Sequence, residues 1–344
     1  MPQLIKYVIG IDVSKDNFEA CSGSIDIEQS SKLSACKSFK NNDLGFDKLF
    51  DWVKEFAKES VPIWFVMEAT GVYFENLAFY LAEQNQSINV ILPTKTKHFK
   101  QSTDVKTKND KIDAQTLTKL GLERQLDKWN MPTEQMRSIK ELSREHKALK
   151  DMATQIKNQI HAKRSSHKPN HTTIIRLETH LSFLEEQQND IVKELKSIIK
   201  LLPEVDQKIS LIEQSLKGVG FLTLVKIFAE TNGFAFITNA KQLTSYAGLD
   251  IVENQSGNQH GKTSISAKGN SYLRNALFMP SLSVIRHVEK FKEIYIRLCQ
   301  KNKPKKVGIT AIMRKLLVVI YSLWKTNKPF NTNYMKELKL EKCN

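Results

Sequence analysis

The sequence has few cysteines. The four it holds (Cys21, Cys36, Cys299 and Cys343) are widely scattered, with no Cys-x-x-Cys pair. That spacing excludes a cysteine zinc site, and four reduced thiols are expected rather than a disulfide framework. The N-terminus lacks the charged, apolar and small-residue regions of a signal peptide. The longest apolar stretch late in the chain, Leu316 to Trp324, is too short to span a bilayer. His161, His167 and His171 have no Cys or acidic partners near them, so they make no metal site. No histidine stands beside the loop serines in a recognisable triad, which leaves Ser-His-Asp hydrolase chemistry unsupported. A cytoplasmic protein outside the membrane is expected.

Acid is also short relative to base. Over 344 residues, 52 Lys+Arg face 37 Asp+Glu, a formal net charge of +15. Such an excess points to an anionic partner, most simply nucleic acid, although a basic ribosome-associated or membrane-surface protein fits charge alone equally well. The length allows about two domains, each with a core of its own.

The first strand, Tyr7 to Lys15, is a β-branched apolar run that ends in Asp12, with Gly10 two residues before it. A carboxylate at the end of a buried strand is costly unless it is paired, bound to a metal or closing a turn. A second run, Ile63 to Met67, ends the same way in Glu68. Two such strands delivering acids to one end of a sheet suit a divalent metal. Between them lie strands around Phe18–Ser22 and Leu33–Phe39, then a helix capped by Asp43. A helix from about Tyr73 to Gln84 and a strand from Ile88 to Leu92 follow. Three strands, helix, strand, helix, strand is the order of a ribonuclease-H-like α/β domain.

From Lys95 to Arg124, eight Lys/Arg accompany four acids. Asp110 and Asp113 are three apart at the start of a helix and project from one face. One reading is an N-cap with a dipole-stabilising acid. The other joins them to Asp12 and Glu68 as four ligands for Mg²⁺, a hard cation that prefers oxygen. Apolar residues then recur at heptad-like steps from Met136 to Ile160 (Ile139, Leu142, Leu149, Met152, Ile156). A second long helix runs from Ile174 to Leu202, so an antiparallel pair or an intermolecular coiled coil is expected. Gly218-Val219-Gly220 forms a helix-hairpin-helix-like turn whose N–H groups suit a phosphate. Helices from Asn275 to Cys299 and Gly308 to Lys325 flank the basic loop Lys301 to Lys306.

Together these blocks resemble transposases of the insertion sequence one-ten family, also called DEDD transposases or bridge-RNA-guided recombinases. The resemblance lies in Gly10-Ile11-Asp12-Val13-Ser14-Lys15, Met67-Glu68-Ala69-Thr70-Gly71 and Asn109-Asp110-Lys111-Ile112-Asp113-Ala114. It continues in Gly218-Val219-Gly220, Tyr246-Ala247-Gly248-Leu249, Gln255-Ser256-Gly257 and Ser266-Ala267-Lys268-Gly269-Asn270-Ser271-Tyr272-Leu273-Arg274. It implies a RuvC-like (ribonuclease-H-like) α/β domain over 1–130 and coiled-coil dimerisation helices over 131–204. A mostly helical, all-α C-terminal transposase domain over 205–330 and a tail over 331–344 complete the expectation. It also implies Mg²⁺ on Asp12, Glu68, Asp110 and Asp113, and Ser256 as the nucleophile that forms a covalent phosphoserine with DNA. Ser264 and Ser266 lie on the same loop and remain alternatives. Ala267 stands where a basic residue is expected. Implied partners are donor and target DNA, a structured non-coding bridge RNA, and further copies of the chain in a homodimer or homotetramer, in a bacterial or archaeal cytoplasm. Nucleic-acid contacts are expected at Lys15, Lys95, Lys97, Lys106, Lys108, Lys111, Gly218, Gly220, Lys268 and Arg274. A Holliday-junction-resolvase-like nuclease and a non-catalytic nucleic-acid-binding protein are the alternative readings.

Overall fold

The computed structural model describes residues 3–58, 60–69, 71–103, 109–235, 237–252, 255–256, 259–260, 264–300 and 304–331. At 94, 255, 256, 259 and 260 only the backbone is described. The chain forms two compact units, one up to Met131 and one from Pro132 onward.

The first unit is a five-stranded sheet built from β1 (Leu4–Val13), β2 (Asn17–Asp26), β3 (Ser31–Lys40), β4 (Ile63–Glu68) and β5 (Ser87–Ile91). Its order is β3-β2-β1-β4-β5, and β2 is antiparallel to both neighbours while β1, β4 and β5 run parallel. This is the strand order of a ribonuclease-H-like, RuvC-like domain.

The period-two alternation of β1 decides which residues meet which helices. Ile9, Ile11 and Val13 face a core with Phe46, Leu49 and Trp52 of α1 (Asp43–Lys54) and Leu77 and Leu81 of α2 (Glu75–Glu83). Val8 and Val66 face the other side, where they meet Phe99 of α3 (Pro93–Gln101) and Leu117 and Leu120 of α4 (Asp110–Glu123). By the same alternation Gly10 and Asp12, and on β4 Glu68, belong to the α3/α4 side.

Helix α4 lies directly on the backbone of β1. A Cβ on Gly10 would stand 2.3 Å from Thr118 N and 2.4 Å from Ala114 O. Gly10 N–H donates to Thr118 Oγ1 at 3.2 Å, and that hydroxyl donates to the carbonyls of Cys21 and Ala114 at 2.8 and 2.9 Å. Further along the helix, Gly121 meets Val8 and Val66, and Lys6 Nζ donates to Gly121 O at 2.6 Å. The helix therefore runs against the direction of β1, with its first turn over the Asp12 end.

The second unit begins with α5 (Glu134–Arg164) and α6 (His171–Lys200). Lys157–Glu185 at 2.8 Å and Arg164–Glu178 pair residues whose numbers rise on one helix as they fall on the other, so the two form an antiparallel hairpin within the chain. Its outer half has a small core of Ala153, Ile156, Ile160, Ile174 and Leu184. Its inner half, through Ile139, Ile191, Leu195 and Ile199, joins the larger core of α7 (Pro203–Ser215), α8 (Phe221–Glu230), α9 (Ala240–Tyr246), α10 (Ser271–His287), α11 (Glu289–Gln300) and α12 (Lys305–Thr326). Short strands β6 (Ile251–Val252) and β9 (Ser264–Ile265) pair with each other, as do β7 (Gln255–Ser256) and β8 (Gln259–His260).

Several expectations change. Cys21 and Cys36 form a disulfide rather than standing as free thiols. They lie directly opposite each other on β2 and β3, a register that their spacing alone does not reveal. Met152 faces solvent, 50% exposed, instead of lying on the helix seam. Pro93, just after the expected Ile88–Leu92 strand, opens a helix that was not expected, as its fixed φ permits in the first turn. The caps of α1 and α4 are Asn42 and Asn109, not the aspartates that follow them. The expected helix from Asn275 to Cys299 begins earlier and breaks at Val288 into α10 and α11. Helix α12 extends well beyond Leu316–Trp324 and is long and apolar enough by composition to cross a membrane. Its Ile312, Leu316, Leu317 and Ile320 are instead fully or almost fully buried in the protein core.

Gly10→Ala should lower unfolding stability by roughly 2 kcal/mol or more, because α4 must lift from β1 to admit the methyl group. Urea denaturation measures this, and wild-type stability in the variant would mean that the close approach is absent.

Candidate active site

The acids converge from three elements. The parallel register pairs Gly10 with Val66 and Ile11 with Met67, so its next step sets Asp12 beside Glu68. Asn109 caps α4 by accepting from Ile112 N–H at 2.8 Å, which leaves Asp110 and Asp113 in the first turn without a capping role. The carboxyl of Asp12 is pushed up to about 6 by burial first, then by Asp113, Asp110 and Glu68, while Lys100 opposes the shift. Burial is the larger cause, and the repulsion added by three other carboxylates means that all four acids lie near one another.

Lys100 of α3, not singled out from the sequence, is paired with Asp113, both side chains about three-quarters buried. Among the described residues, no three acidic, His or Cys side chains stand at metal-ligating spacing. The donor chemistry nevertheless fits a hard divalent cation, since only carboxylates are offered and their repulsion calls for positive charge. Asn41 was also missed. Its Nδ2 donates to Ser14 O at 2.9 Å and Tyr73 O at 3.1 Å, tying the turn after Asp12 to the segment after Glu68.

The expected nucleic-acid contacts divide by environment. Lys15, Lys95, Lys97, Lys111 and Lys268 are exposed. Lys106 and Lys108 lie outside the described residues. Gly218, at φ +101°, is packed so that a Cβ would meet Ser283 at 2.8 Å, giving this glycine a folding reason. The N–H of Phe221, just after Gly220, donates to Glu213 Oε1 at 2.8 Å. A carboxylate thus sits where the helix-hairpin-helix reading places a phosphate. Arg274 donates to Ala247 O at 2.8 Å and Gly269 O at 3.1 Å, so its charge braces the backbone rather than facing a ligand.

That brace belongs to a clasp at the base of the serine loop. Ala267 N–H donates to Gly248 O and Ser266 N–H to Asp250 O, closing the two loop ends on each other before β6 and β9 pair. Gly269 must be glycine, because a Cβ there would stand 2.4 Å from Gly248 N. Asn270 caps α10 and also donates to Glu230 Oε2 at 2.7 Å. Glu230, 3% exposed, accepts from Arg144 Nε at 2.8 Å and Nη2 at 3.0 Å. Burial pushes its carboxyl up, but the bonds from Arg144 and Asn270 prevail and hold it below its ordinary value. Ser266 hydrogen-bonds to Asp250 and so is part of the clasp, whereas Ser264 is exposed. The side chain of Ser256 lies outside the described residues.

Two outcomes follow. A raised carboxylate favours the folded state while protonated, and that contribution is lost as pH rises from about 4 through about 6. In EDTA, wild-type Tm should fall across this window, whereas Asp12→Asn should fall less and be the more stable protein at pH 8. Matching pH profiles would remove the repulsion argument. Glu230→Ala should cost about 1–3 kcal/mol, since the guanidinium it strands is 42% exposed and partly regains water; a loss under about 0.5 kcal/mol in chemical denaturation would refute the pairing.

Comparison with known proteins shows the family. A DEDD transposase model of IS110, described as "Transposase", matches residues 9–169, and a model described as "Transposase IS116/IS110/IS902 family" matches residues 212–296. The pilin gene-inverting protein of Moraxella bovis is 30% identical over 339 residues, covering 95% of this chain and 98% of that protein. The transposase for insertion sequence element IS1111A of Coxiella burnetii is 26% identical over 150 residues, covering 43% of this chain and 40% of that one. Among solved structures, Thermus thermophilus RuvC with a Holliday junction substrate aligns at 8% identity and TM-score 0.25, over 33% of this chain and 90% of that one. A value so low adds nothing to the strand order. The first model spans the four acids and runs on through α5, the second spans the serine loop, and the chain belongs to the IS110 family of transposases.

Proposed function

We propose that this transposase cleaves and rejoins DNA strands through a covalent 5′-phosphoserine on Ser256, with Mg²⁺ held by Asp12, Glu68, Asp110 and Asp113. The observation that carries the reading is the convergence of the four carboxylates on Asp12. A bound divalent cation supplies Lewis-acid stabilisation of charge at the scissile phosphate. Ser256 Oγ gives up its proton and attacks phosphorus, the Oγ–P bond forms as the P–O3′ bond breaks, and the 3′ oxygen takes up a proton and leaves as a hydroxyl, with no net change in protons. The exposed Lys15, Lys95, Lys97 and Lys111, with Lys106 and Lys108, hold the phosphate backbone. Rejoining reverses the attack with a 3′-OH from the second duplex.

The relatives named for inverting a pilin gene favour rejoining over simple hydrolysis, because inversion of a segment requires its ends to be resealed. By family resemblance, a structured non-coding RNA pairs with donor and target, and the acids of one protomer meet the serine of another in a dimer or tetramer. The site of action is the cytoplasm. Hydrolysis by water at the same carboxylates, as in a junction-resolving nuclease, is the competing chemistry.

Recombination between donor and target plasmids, with the element's flanking non-coding DNA supplied, separates the two. Wild type should form junctions, and Asp12→Ala and Ser256→Ala should each form at least about a hundredfold fewer. Junctions persisting in Ser256→Ala would transfer the role to Ser264 or to water.

A further inference from the structure

The seam between α5 and α8 changes character within one helical turn. At one level Arg144 and Glu230 neutralise each other. Four residues earlier on α8 stands Lys226, whose Nζ lies 3.5 Å from Nδ1 of His146 on α5. Positive charge collects here. Lys150 and Lys147 both repel Lys226 and, after burial, are the groups that push its ammonium below its ordinary value. His146, 7% exposed, is held at about 4 by burial, then by Lys226 and Lys150. The nearby carboxylate, Asp151, is engaged by Lys147. Among the described residues, neither Lys226 nor Lys150 has an ion-pair partner.

Half-buried Lys226, beside a neutral imidazole, is repelled by Lys150 and Lys147, and an anion joining them would relieve that repulsion. Beside the cluster lies an aromatic ring. The Arg144 guanidinium sits 4.5 Å over the centroid of Tyr272 and Lys147 Nζ is 6.0 Å from it, yet Tyr272 remains 37% exposed. An exposed ring at the edge of a cluster in which, among the described residues, Lys226 and Lys150 stand unpaired matches the two halves of a nucleotide, a π-face for the base and positive charge for the phosphate.

We infer that Lys147, Lys150, Lys226 and Tyr272 form a nucleic-acid subsite on the helical unit that takes an unpaired nucleotide, its phosphate on the lysines and its base on the ring. The subsite depends on neither the acid cluster nor Ser256, so its test stands apart from the recombination assay.

The test is binding of full-length protein to fluorescein-labelled oligonucleotides of one sequence, as single-stranded DNA, single-stranded RNA and duplex DNA, in EDTA over a range of salt. For a single-stranded probe, Lys226→Met and Lys150→Met should each flatten the plot of log affinity against log salt by about 0.7. Lys226→Arg should keep the slope. The Tm of Lys226→Met without nucleic acid should equal or exceed that of wild type, which separates lost contact from lost fold. Tyr272→Leu should weaken single-strand binding about tenfold while sparing duplex, and Tyr272→Phe should retain it. Effects confined to the RNA probe assign the nucleotide to RNA, and effects confined to the DNA strand assign it to DNA. Unchanged slopes in both lysine variants, or equal losses on duplex and single strand in Tyr272→Leu, would overturn the proposal.

Discussion

The acid site depends on one close approach, the seating of α4 on the bare backbone of β1. Helix and strand are separated there by no side chain, because Gly10 has none to interpose. Thr118 completes the contact by giving the Gly10 N–H an acceptor while donating to strand and helix carbonyls. A layer of ordinary side chains would hold the helix several ångströms further out. The first turn of α4 would then be too far from Asp12 to influence it. The same constraint orders the rest of the sheet, since Gly23 and Gly121 make room for the helix at neighbouring points along it.

The second unit secures its serine loop by different means. It contributes no close-packed strand, and its polar network sits among helices. Glu230 draws together Arg144 from α5, Asn270 from the start of α10 and, through its own carbonyl, the hydroxyl of Tyr246. One buried carboxylate so fixes the helix that follows the loop to the helix that opens the unit. The loop ends are then held by main-chain bonds.

Legibility in the sequence follows the range of the physics. Asp12 and Glu68 were readable because a carboxylate closing an apolar run is a local contradiction, visible within six residues. Asp110 and Asp113 were readable from their spacing, although the cap was misplaced by one residue: Asn109 and Asp110 are both good caps, and only backbone geometry separates them. Helix α3 was missed because Pro-Thr-Lys-Thr-Lys-His-Phe-Lys-Gln carries too little apolar periodicity to be read as a helix, and with it went the role of Lys100. The Cys21–Cys36 pair depends on hairpin register, which a turn without a strong dipeptide signal does not specify. Glu230 was hidden in an apolar helix, because its compensation comes from residues 86 positions before it and 40 after it.

The antiparallel hairpin of α5 and α6 has a consequence of scale. Thirty-one residues of helix span about 45 Å, and its inner and outer halves belong to different cores. The outer half is therefore a lever whose length is set by a count of heptads alone. Matched seven-residue deletions, one from each helix, would shorten it by about 10 Å per step while returning the same faces to contact. Related chains could adjust their reach in such increments without redesigning anything at the hairpin's root.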